Sequence, residues 1–344
     1  MIYFRNDYSE GAHPKVLQAL VETNLVSTPG YGCDVYCACA RELLRERFAC
    51  PNADVHFLVG GTQTNLTAAA AFLRPWEAVI AADTGHIAVH ETGAIEATGH
   101  KVYVVPGVDG KLTSDAIRTA VRDHQTGTEE HMVLPRMVYV SDSTELGTIY
   151  TRAELQALSD TCRELGLYLY LDGARMAMAL TAQGNDLVPE DFAQLCDAFY
   201  LGGTKNALLF GEALVIVNNA LKPYFRNVMK QHGGMLAKGR LLGVQFAAIL
   251  QDDLWLQTAR HANELAQRLA AALTAMGVPL YAASPTNQVF PIFTNAQVEA
   301  LRQNFSFEFI ARVDENHSAI RFVTSWATRP EDVETLLEAV RALL

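Results

Sequence analysis

Short apolar runs alternate with longer amphipathic stretches from residue 51 onward. Seven of the runs have the length and the flanking polar residues of β-strands, and stretches with helical spacing separate most of them. This alternation predicts βα units, and therefore an α/β fold with a mainly parallel seven-stranded sheet and helices on both faces. The predicted strands are residues 55–59, 78–82, 102–105, 137–141, 167–172, 198–201 and 213–217.

The pattern changes near residue 235. Residues 235–276 are largely helical and rich in alanine and leucine, which suits a connector to a second domain. We therefore predict two parts: residues 1–235, an N-terminal arm with the large α/β domain, and residues 236–344, connecting helices with a small C-terminal α+β domain. In the small domain we expect strands at 288–293, 307–313 and 320–325 and helices at 296–304 and 330–343.

Composition and charge argue against several classes of function. Of the 344 residues, 50% are hydrophobic and 19% charged, which fits a folded protein with a large core. The net charge of −11 argues against a nucleic-acid partner, because phosphate binding needs a basic face. We also expect no membrane partner, since no apolar run has the length of a membrane span, and we expect a cytoplasmic protein.

Six cysteines are too few and too scattered for a disulfide scaffold. Three of them, Cys33, Cys37 and Cys39, lie close together, but their spacing matches no common zinc pattern. We expect them to be reduced, half-buried thiols at the start of a helix, and we predict no metal site.

A lysine and an aspartate lie at the carboxyl ends of predicted strands. Lys205 follows the strand 198–201 in the sequence Gly-Gly-Thr-Lys, and Asp172 ends the strand 167–172. Ligands of α/β sheets bind beyond these strand ends, so both side chains are expected at one cleft. Such a lysine can form a Schiff base with pyridoxal phosphate (PLP), and the aspartate can pair with the pyridinium nitrogen. Taken singly, Lys205 would be a surface lysine and Asp172 a helix N-cap.

Two further strand ends carry candidate cofactor contacts. After the first strand, Gly61 and Thr62 precede a helix predicted over 66–73, and free amides at a helix start favour a phosphate. The same residues also suit a plain turn and cap. After the second strand, His86 could stack on a pyridine ring or act on a substrate hydroxyl. Its alternatives are a metal pair with His90 or a helix cap.

Two arginines and one acid complete the candidate set. Arg175 follows Asp172 and would meet either a phosphate or a substrate carboxylate, or else be solvated. Arg321 lies within an apolar strand, where a charge is costly unless it is paired, so it would bind a substrate carboxylate or a nearby acid. Glu145 lies in the polar loop after the fourth strand and would face the same cleft.

An ordered set of motifs over essentially the whole chain resembles the threonine aldolase family, in the β-eliminating lyase branch of fold-type I PLP enzymes. The resemblance implies a fold-type I architecture, PLP as cofactor and an amino-acid substrate. It also implies a homotetramer, or at least a dimer, with active sites completed across the interface near Tyr31. The motifs are Phe4-Arg5-Asn6-Asp7, Gly30-Tyr31-Gly32, Gly61-Thr62-Gln63-Thr64-Asn65, His86, Leu171-Asp172-Gly173-Ala174-Arg175, Lys205 and Arg321.

The resemblance also implies roles for these residues. Lys205 would form the Schiff base, Asp172 would hold the pyridinium and His86 would stack on the ring. The cofactor phosphate would be held by Gly61, Thr62 and Thr204, with Arg175 among the cofactor contacts. The substrate contacts would be Arg175, Arg321, Asn6 and Tyr31.

The sequence departs from the family pattern at two positions. Thr204 precedes Lys205 where many members have serine, and Glu145 stands where many have a histidine. The general base therefore remains open among His86, Glu145 and an ordered water.

The function implied is a PLP-dependent aldolase, a carbon–carbon lyase. It would cleave L-threonine, L-allo-threonine or a related β-hydroxy-α-amino acid such as phenylserine to glycine and an aldehyde. Another β-eliminating lyase or an aminotransferase would need the same lysine and aspartate. A non-catalytic PLP-fold binding or regulatory protein belongs to a different class, and the intact pair of Lys205 and Asp172 argues against it.

Overall fold

The computed structural model describes residues 1–125, 127 and 129–344. Strands and helices alternate through the first two thirds of the chain, as the hydrophobic pattern predicts. The strands are β1 Ile2–Tyr3, β2 Asp54–Leu58, β3 Glu77–Ala82, β4 Lys101–Val105, β5 Leu134–Ser141, β6 Tyr168–Asp172, β7 Ala198–Gly202, β8 Glu212–Ile216, β9 Leu280–Ala282, β10 Gln288–Thr294, β11 Phe305–Ser306, β12 Glu308–Arg312 and β13 His317–Val323. The α-helices are α1 Pro14–Thr23, α2 Val35–Arg47, α3 Gly61–Phe72, α4 His86–Val89, α5 Ala94–Ala97, α6 Ser114–Asp123, α7 Arg152–Leu165, α8 Met176–Leu180, α9 Pro189–Leu195, α10 Phe225–Gln231, α11 Arg240–Leu250, α12 Leu254–Ala275, α13 Asn295–Arg302 and α14 Pro330–Arg341.

The large sheet has seven strands in the order β2-β8-β7-β6-β5-β3-β4. The pairs from β4 to β7 are all parallel, and β8 runs antiparallel to both of its neighbours. The mainly parallel sheet is therefore confirmed. The reversal of β8 has a simple cause: residues 203–211 join it to β7, and a parallel crossover takes roughly a dozen residues or more.

Side chains alternate between two hydrophobic cores across this sheet. In β5, Val138 and Val140 enter the core on one face, and Met137 and Tyr139 enter the core on the other. Burial on both faces explains why these strands appear as continuous apolar runs in the sequence. The alternation of side chains also decides which residues lie on the face of the sheet where a ligand would bind at the strand ends.

The C-terminal part contains the predicted small sheet, with the antiparallel strand order β12-β13-β10-β9. The N-terminal arm reaches this part. β1 pairs in parallel with β11, and Phe4 is fully buried in the C-terminal core. The division of the chain near residue 235 stays a prediction.

Two local differences from the predicted elements concern the cleft. Helix α3 begins at Gly61 and not at residue 66, because Gly60 is the extended N-cap and its carbonyl accepts from the Thr64 amide. Of the clustered thiols, Cys37 is buried while Cys33 and Cys39 are exposed, so they are not all half-buried. Among the described residues, no helix is long and apolar enough to cross a membrane.

Candidate active site

Asp172 ends β6 as a buried carboxylate with four hydrogen-bond donors. The phenols of Tyr139 and Tyr200 donate to it at 2.6 and 2.5 Å, and Asn65 Nδ2 and the Ala174 amide donate at 3.0 Å. Burial would raise the pKa of Asp172, but His86 and the two phenols together bring it below its ordinary value. The group is therefore an anion fixed at the strand end.

The lysine follows the neighbouring strand on a tightly packed loop. A Cβ at Gly203 would meet the Gly211 carbonyl at 2.7 Å, so the close approach of the two loop segments requires glycine. Thr204 Oγ1 accepts from the Gly211 amide at 3.0 Å and so also closes this loop. Burial and the charge of Arg175 lower the pKa of Lys205. A lowered pKa favours the neutral amine, which is the nucleophilic form.

Arg175 is buried in a two-point ion pair with Asp7. Its Nε and Nη2 donate to the two carboxylate oxygens of Asp7 at 2.7 and 3.0 Å, and Asn287 donates to the same carboxylate at 2.9 Å. Burial opposes the ionisation of Asp7, but Arg175 and Lys205 bring its pKa below the ordinary value. The N-terminal arm thus supplies the counter-ion that orients Arg175.

Arg321 lies on β13 and faces the same region. Its Nη1 donates to Gln288 Oε1 at 3.1 Å, and its buried Nε has no hydrogen-bond partner among the described residues. Burial and Arg175 lower the pKa of Arg321. Two guanidinium groups near each other are favoured when an anion binds between them.

His86 begins helix α4 at the end of β3. Its ring Nδ1 lies 2.9 Å from Glu91 Oε1, and its backbone amide donates to Glu145 Oε1 at 3.0 Å. His90 lies beside it, with ring centroids 5.6 Å apart. The part of the chain that the structure describes holds no group of three or more ligating residues for a metal ion.

Glu145 is a half-buried acid in this cleft. Ser141 Oγ donates to it at 2.8 Å, and burial raises its pKa. Glu212, the first residue of β8, is similar: the Gly203 amide donates to it at 3.0 Å, and burial raises its pKa to about 8. Both acids therefore hold protons more tightly than exposed glutamates do.

The remaining predicted site residues lie in different parts of the fold. Gly61 and Thr62 form the first turn of α3, whose amides are free of helical partners as at any helix start. Asn6 Oδ1 accepts from the Tyr8 amide and the Ser9 hydroxyl, both at 3.0 Å. Tyr31 is 46% exposed beside α10, where its carbonyl accepts from Arg226 and its ring lies 4.7 Å from Lys230 Nζ. These contacts of Tyr31 are thus with residues of α10.

Sequence reasoning missed the groups around Asp172. Three buried tyrosines enter the sequence analysis only as residues of predicted strands, and Asp7, Asn65, Glu91 and Glu212 have no role in it. A signal was present, because the tyrosines stand two residues before the ends of β5, β6 and β7, which places them on one face of the sheet. These tyrosines are Tyr139, Tyr170 and Tyr200.

Asp142 lies just after β5, and the burial of its carboxyl group can be tested through the pH dependence of folding stability. Its carboxyl is fully buried, and burial raises its pKa from 3.8 to about 7. The folded state therefore binds this proton where the unfolded chain has lost it, and wild-type stability falls as the pH rises from about 4 to 7.

Asp142→Asn removes this titration. Relative to wild type, we expect its free energy of unfolding to increase by roughly 3 kcal/mol between pH 4.5 and pH 7.5. Urea unfolding at both pH values measures the difference. Any change in stability that the asparagine causes at both pH values alike cancels in this comparison. An equal change in the free energy of unfolding between the two pH values in both proteins would contradict the argument.

Comparison with known proteins agrees with this geometry. The family model for β-eliminating lyases matches residues 15–296. The low specificity L-threonine aldolase of Pseudomonas aeruginosa is 34% identical over 99% of this chain and 97% of its own length. A structure of threonine aldolase from Leishmania major superposes with a TM-score of 0.97 at 47% identity, covering 100% of this chain and 99% of that chain. Aspartate aminotransferase from Thermus thermophilus shares the fold, with a TM-score of 0.71 at 16% identity over 100% and 92% of the two chains.

The sheet, with a lysine and an aspartate at adjacent strand ends, has the architecture of fold-type I PLP enzymes. Within that class, the chain belongs to the β-eliminating lyase family. Fold and family imply PLP as the cofactor. The site residues fit this group: Asp172 is a fixed anion for the ring nitrogen, Lys205 is a half-buried amine on the loop after the neighbouring strand, and α3 offers free amides for a phosphate.

Proposed function

We propose that this protein is a PLP-dependent aldolase. It cleaves L-threonine, L-allo-threonine or a related β-hydroxy-α-amino acid to glycine and an aldehyde. The observation that carries the proposal is the geometry at two adjacent strand ends, where four donors hold the Asp172 carboxylate at the end of β6 and Lys205 lies on the packed loop after β7. The relatives named for threonine aldolase activity cover nearly the whole chain, which supports the choice of reaction.

The cofactor would be held at four points. The amine of Lys205 would bind its aldehyde carbon, Asp172 would accept a hydrogen bond from its protonated ring nitrogen, and His86 would lie against the ring. Its phosphate would sit at the start of α3, near Gly61 and Thr62, with Thr204 close by. When bound, PLP supplies an electron sink for the bond that breaks at the substrate's Cα.

Arg175 and Arg321 would bind the substrate carboxylate. Asp7 holds the first in place through two hydrogen bonds, and Gln288 holds the second through one. The unpartnered Nε of Arg321 is a donor that an incoming carboxylate could satisfy. Asn6, next to Asp7 on the arm, would lie at the edge of this pocket.

Retro-aldol cleavage requires that a base take the proton of the β-hydroxyl. The ring of His86, with its side chain 32% exposed, can face the cleft. Glu145 Oε1 already accepts two hydrogen bonds, from the His86 amide and the Ser141 hydroxyl, which ties this carboxylate to the protein and leaves it less free to meet a bound substrate. We therefore favour His86 as the base and assign to Glu145 the anchoring of the His86 backbone.

The deciding measurement is product analysis of the PLP-loaded protein with L-threonine and, separately, L-allo-threonine. We expect glycine and acetaldehyde in equal amounts, and the ratio of the two rates gives the preference at Cβ. Ammonia with 2-oxobutanoate would instead show a dehydratase or eliminase on this scaffold. A protein that takes up no PLP would point to a non-catalytic function.

We also propose a homotetramer, or at least a dimer, in the cytoplasm, with Tyr31 near a subunit interface. The exposed position of Tyr31 supports a contact with a neighbouring active site. Six free cysteines, four of them buried, support a reducing compartment. Sedimentation velocity would test the assembly, and a monomer at micromolar concentration would contradict it.

A further inference from the structure

The buried carboxylate of Glu91 links His86 to Asp172 through the side-chain amide of Asn65. Glu91 Oε1 lies 2.9 Å from His86 Nδ1 and accepts a hydrogen bond from Asn65 Nδ2, also at 2.9 Å. The same Asn65 nitrogen donates to Asp172 Oδ2 at 3.0 Å. His86, Glu91 and Asp172, the acid proposed for the cofactor's ring nitrogen, therefore form one hydrogen-bonded unit.

The orientation of the Asn65 amide is determined by its surroundings. Its Oδ1 accepts from the phenol of Tyr170 at 3.0 Å, so its Nδ2 must point towards Asp172 and Glu91. An NH₂ group placed between two carboxylates reduces their mutual repulsion. Asn65 thus allows both acids to be buried close to each other.

A second set of polar contacts connects the same residues on the other side. The phenol of Tyr139 donates to Asp172, its oxygen lies 3.2 Å from Ser141 Oγ, and the Ser141 hydroxyl donates to Glu145 at 2.8 Å. Glu145 then accepts from the backbone amide of His86. The His86 ring is thus held on one side through Glu91 and its backbone on the other through Glu145.

The Glu91 side chain is fully buried. Its second oxygen, Oε2, has no hydrogen-bond partner among the described residues. A buried carboxylate with a free oxygen is costly for stability, and such a cost is typical of functional sites. Together with its contact to the His86 ring, this observation indicates a role for Glu91 at the site.

We propose that Glu91 is a positioning residue for His86, an inference that rests on the aldolase function proposed above. Its carboxylate accepts a hydrogen bond from Nδ1–H of His86, which leaves Nε2 as the ring nitrogen that accepts a proton on the side of the cleft. Asn65 ties this carboxylate to Asp172, so that the base and the ring-binding acid keep a fixed relative position.

The proton balance of the step is simple. The β-hydroxyl proton moves to His86 Nε2, the O–H electron pair becomes the second bond of the aldehyde, and the Cα–Cβ pair remains with the glycine fragment. Glu91 stabilises the imidazolium that forms without itself taking the proton. That proton, or one exchanged for it with solvent, ends on Cα of glycine.

The first test compares Glu91→Gln, His86→Asn and the double variant, all loaded with PLP. We expect Glu91→Gln to lower kcat about 10²-fold with KM changed less than about threefold, since a positioned base contributes roughly that much. In the His86→Asn background, Glu91→Gln should cause no further loss, because its effect passes through His86. The matched control is Glu96→Gln, at an exposed glutamate on the neighbouring helix α5, which should keep wild-type values.

A second test needs no turnover. Diethyl pyrocarbonate adds to a free ring nitrogen of an imidazole, and Glu91 holds Nδ1 of His86 in a hydrogen bond that limits the movement of the ring. In the PLP-free protein, we therefore expect Glu91→Gln to speed the labelling of His86, mapped by mass spectrometry, by about threefold or more, the effect of weakening one such hydrogen bond. Glu96→Gln should label at the wild-type rate.

The outcomes separate the two proposals. Wild-type kcat in Glu91→Gln, or losses that multiply in the double variant, would overturn the role of Glu91 while leaving the aldolase intact. A wild-type protein that forms no glycine would overturn the aldolase. In that case faster labelling in Glu91→Gln would still establish the contact with His86, and unchanged labelling would refute it.

Discussion

Lys205→Ala is expected to abolish turnover, lowering kcat for cleavage of L-threonine by at least about 10⁴-fold. Lys205 lies on the loop after β7, and burial with the charge of Arg175 lowers its pKa, which favours the nucleophilic form of the amine. Alanine has no nitrogen to bind the cofactor aldehyde. The measurements are acetaldehyde release and the mass of the protein after borohydride reduction, which in wild type fixes PLP to Lys205.

The matched control is Lys101→Ala, since the Lys101 side chain lies over the Tyr103 ring on β4 and not near β7. It should keep both the wild-type kcat and the borohydride-fixed PLP. Turnover of Lys205→Ala at a rate close to wild type, or reductive labelling at a different lysine, would remove the basis of the proposed mechanism.

Asp172→Asn is expected to lower kcat by roughly 10³-fold, the effect of losing one fixed charge at a reacting centre. The carboxylate is ionised in spite of its burial because His86, Tyr139 and Tyr200 stabilise it. An asparagine keeps the size but removes the negative charge that would hold a proton on the cofactor ring nitrogen. The measurements are kcat and the absorbance spectrum of bound PLP.

Asparagine also brings an NH₂ group towards donors such as Tyr139 and Asn65. Thermal unfolding must therefore accompany the kinetics, so that loss of folded protein is not counted as loss of catalysis. Asp160→Asn, at an exposed position on α7, is the control. If Asp172→Asn stayed within about threefold of wild-type kcat, the electrostatic role of Asp172 would be wrong.

The hydrophobic pattern determined the large sheet to within a few residues. Except for the edge strand β4, its strands are buried on both faces, so the signal is a continuous apolar run bounded by polar residues. Asp172 and Lys205 could be identified because each directly follows such a run, and strand ends meet at one edge. The reversal of β8 was not apparent, since a strand has the same pattern in either direction and only the short loop 203–211 indicates it.

The environment of each site residue was much harder to predict. Asp7 lies far along the chain from Arg175, yet it binds the guanidinium through two hydrogen bonds. Asn65 was noted only as part of a glycine-rich motif, but its amide joins Asp172 to Glu91. Such partners come from separate elements, and nothing local in the sequence marks them as neighbours.

The sequence by itself therefore determined the α/β class, the strand ends that carry function and the lysine–aspartate pair, because these depend on local periodicity and on order along the chain. The tertiary structure alone decided which charges are buried, which donors surround each carboxylate, and hence the direction of the pKa shifts of Asp172, Glu145 and Lys205. The physical reason is that desolvation and short-range hydrogen bonds depend on distances between residues that lie far apart in the chain.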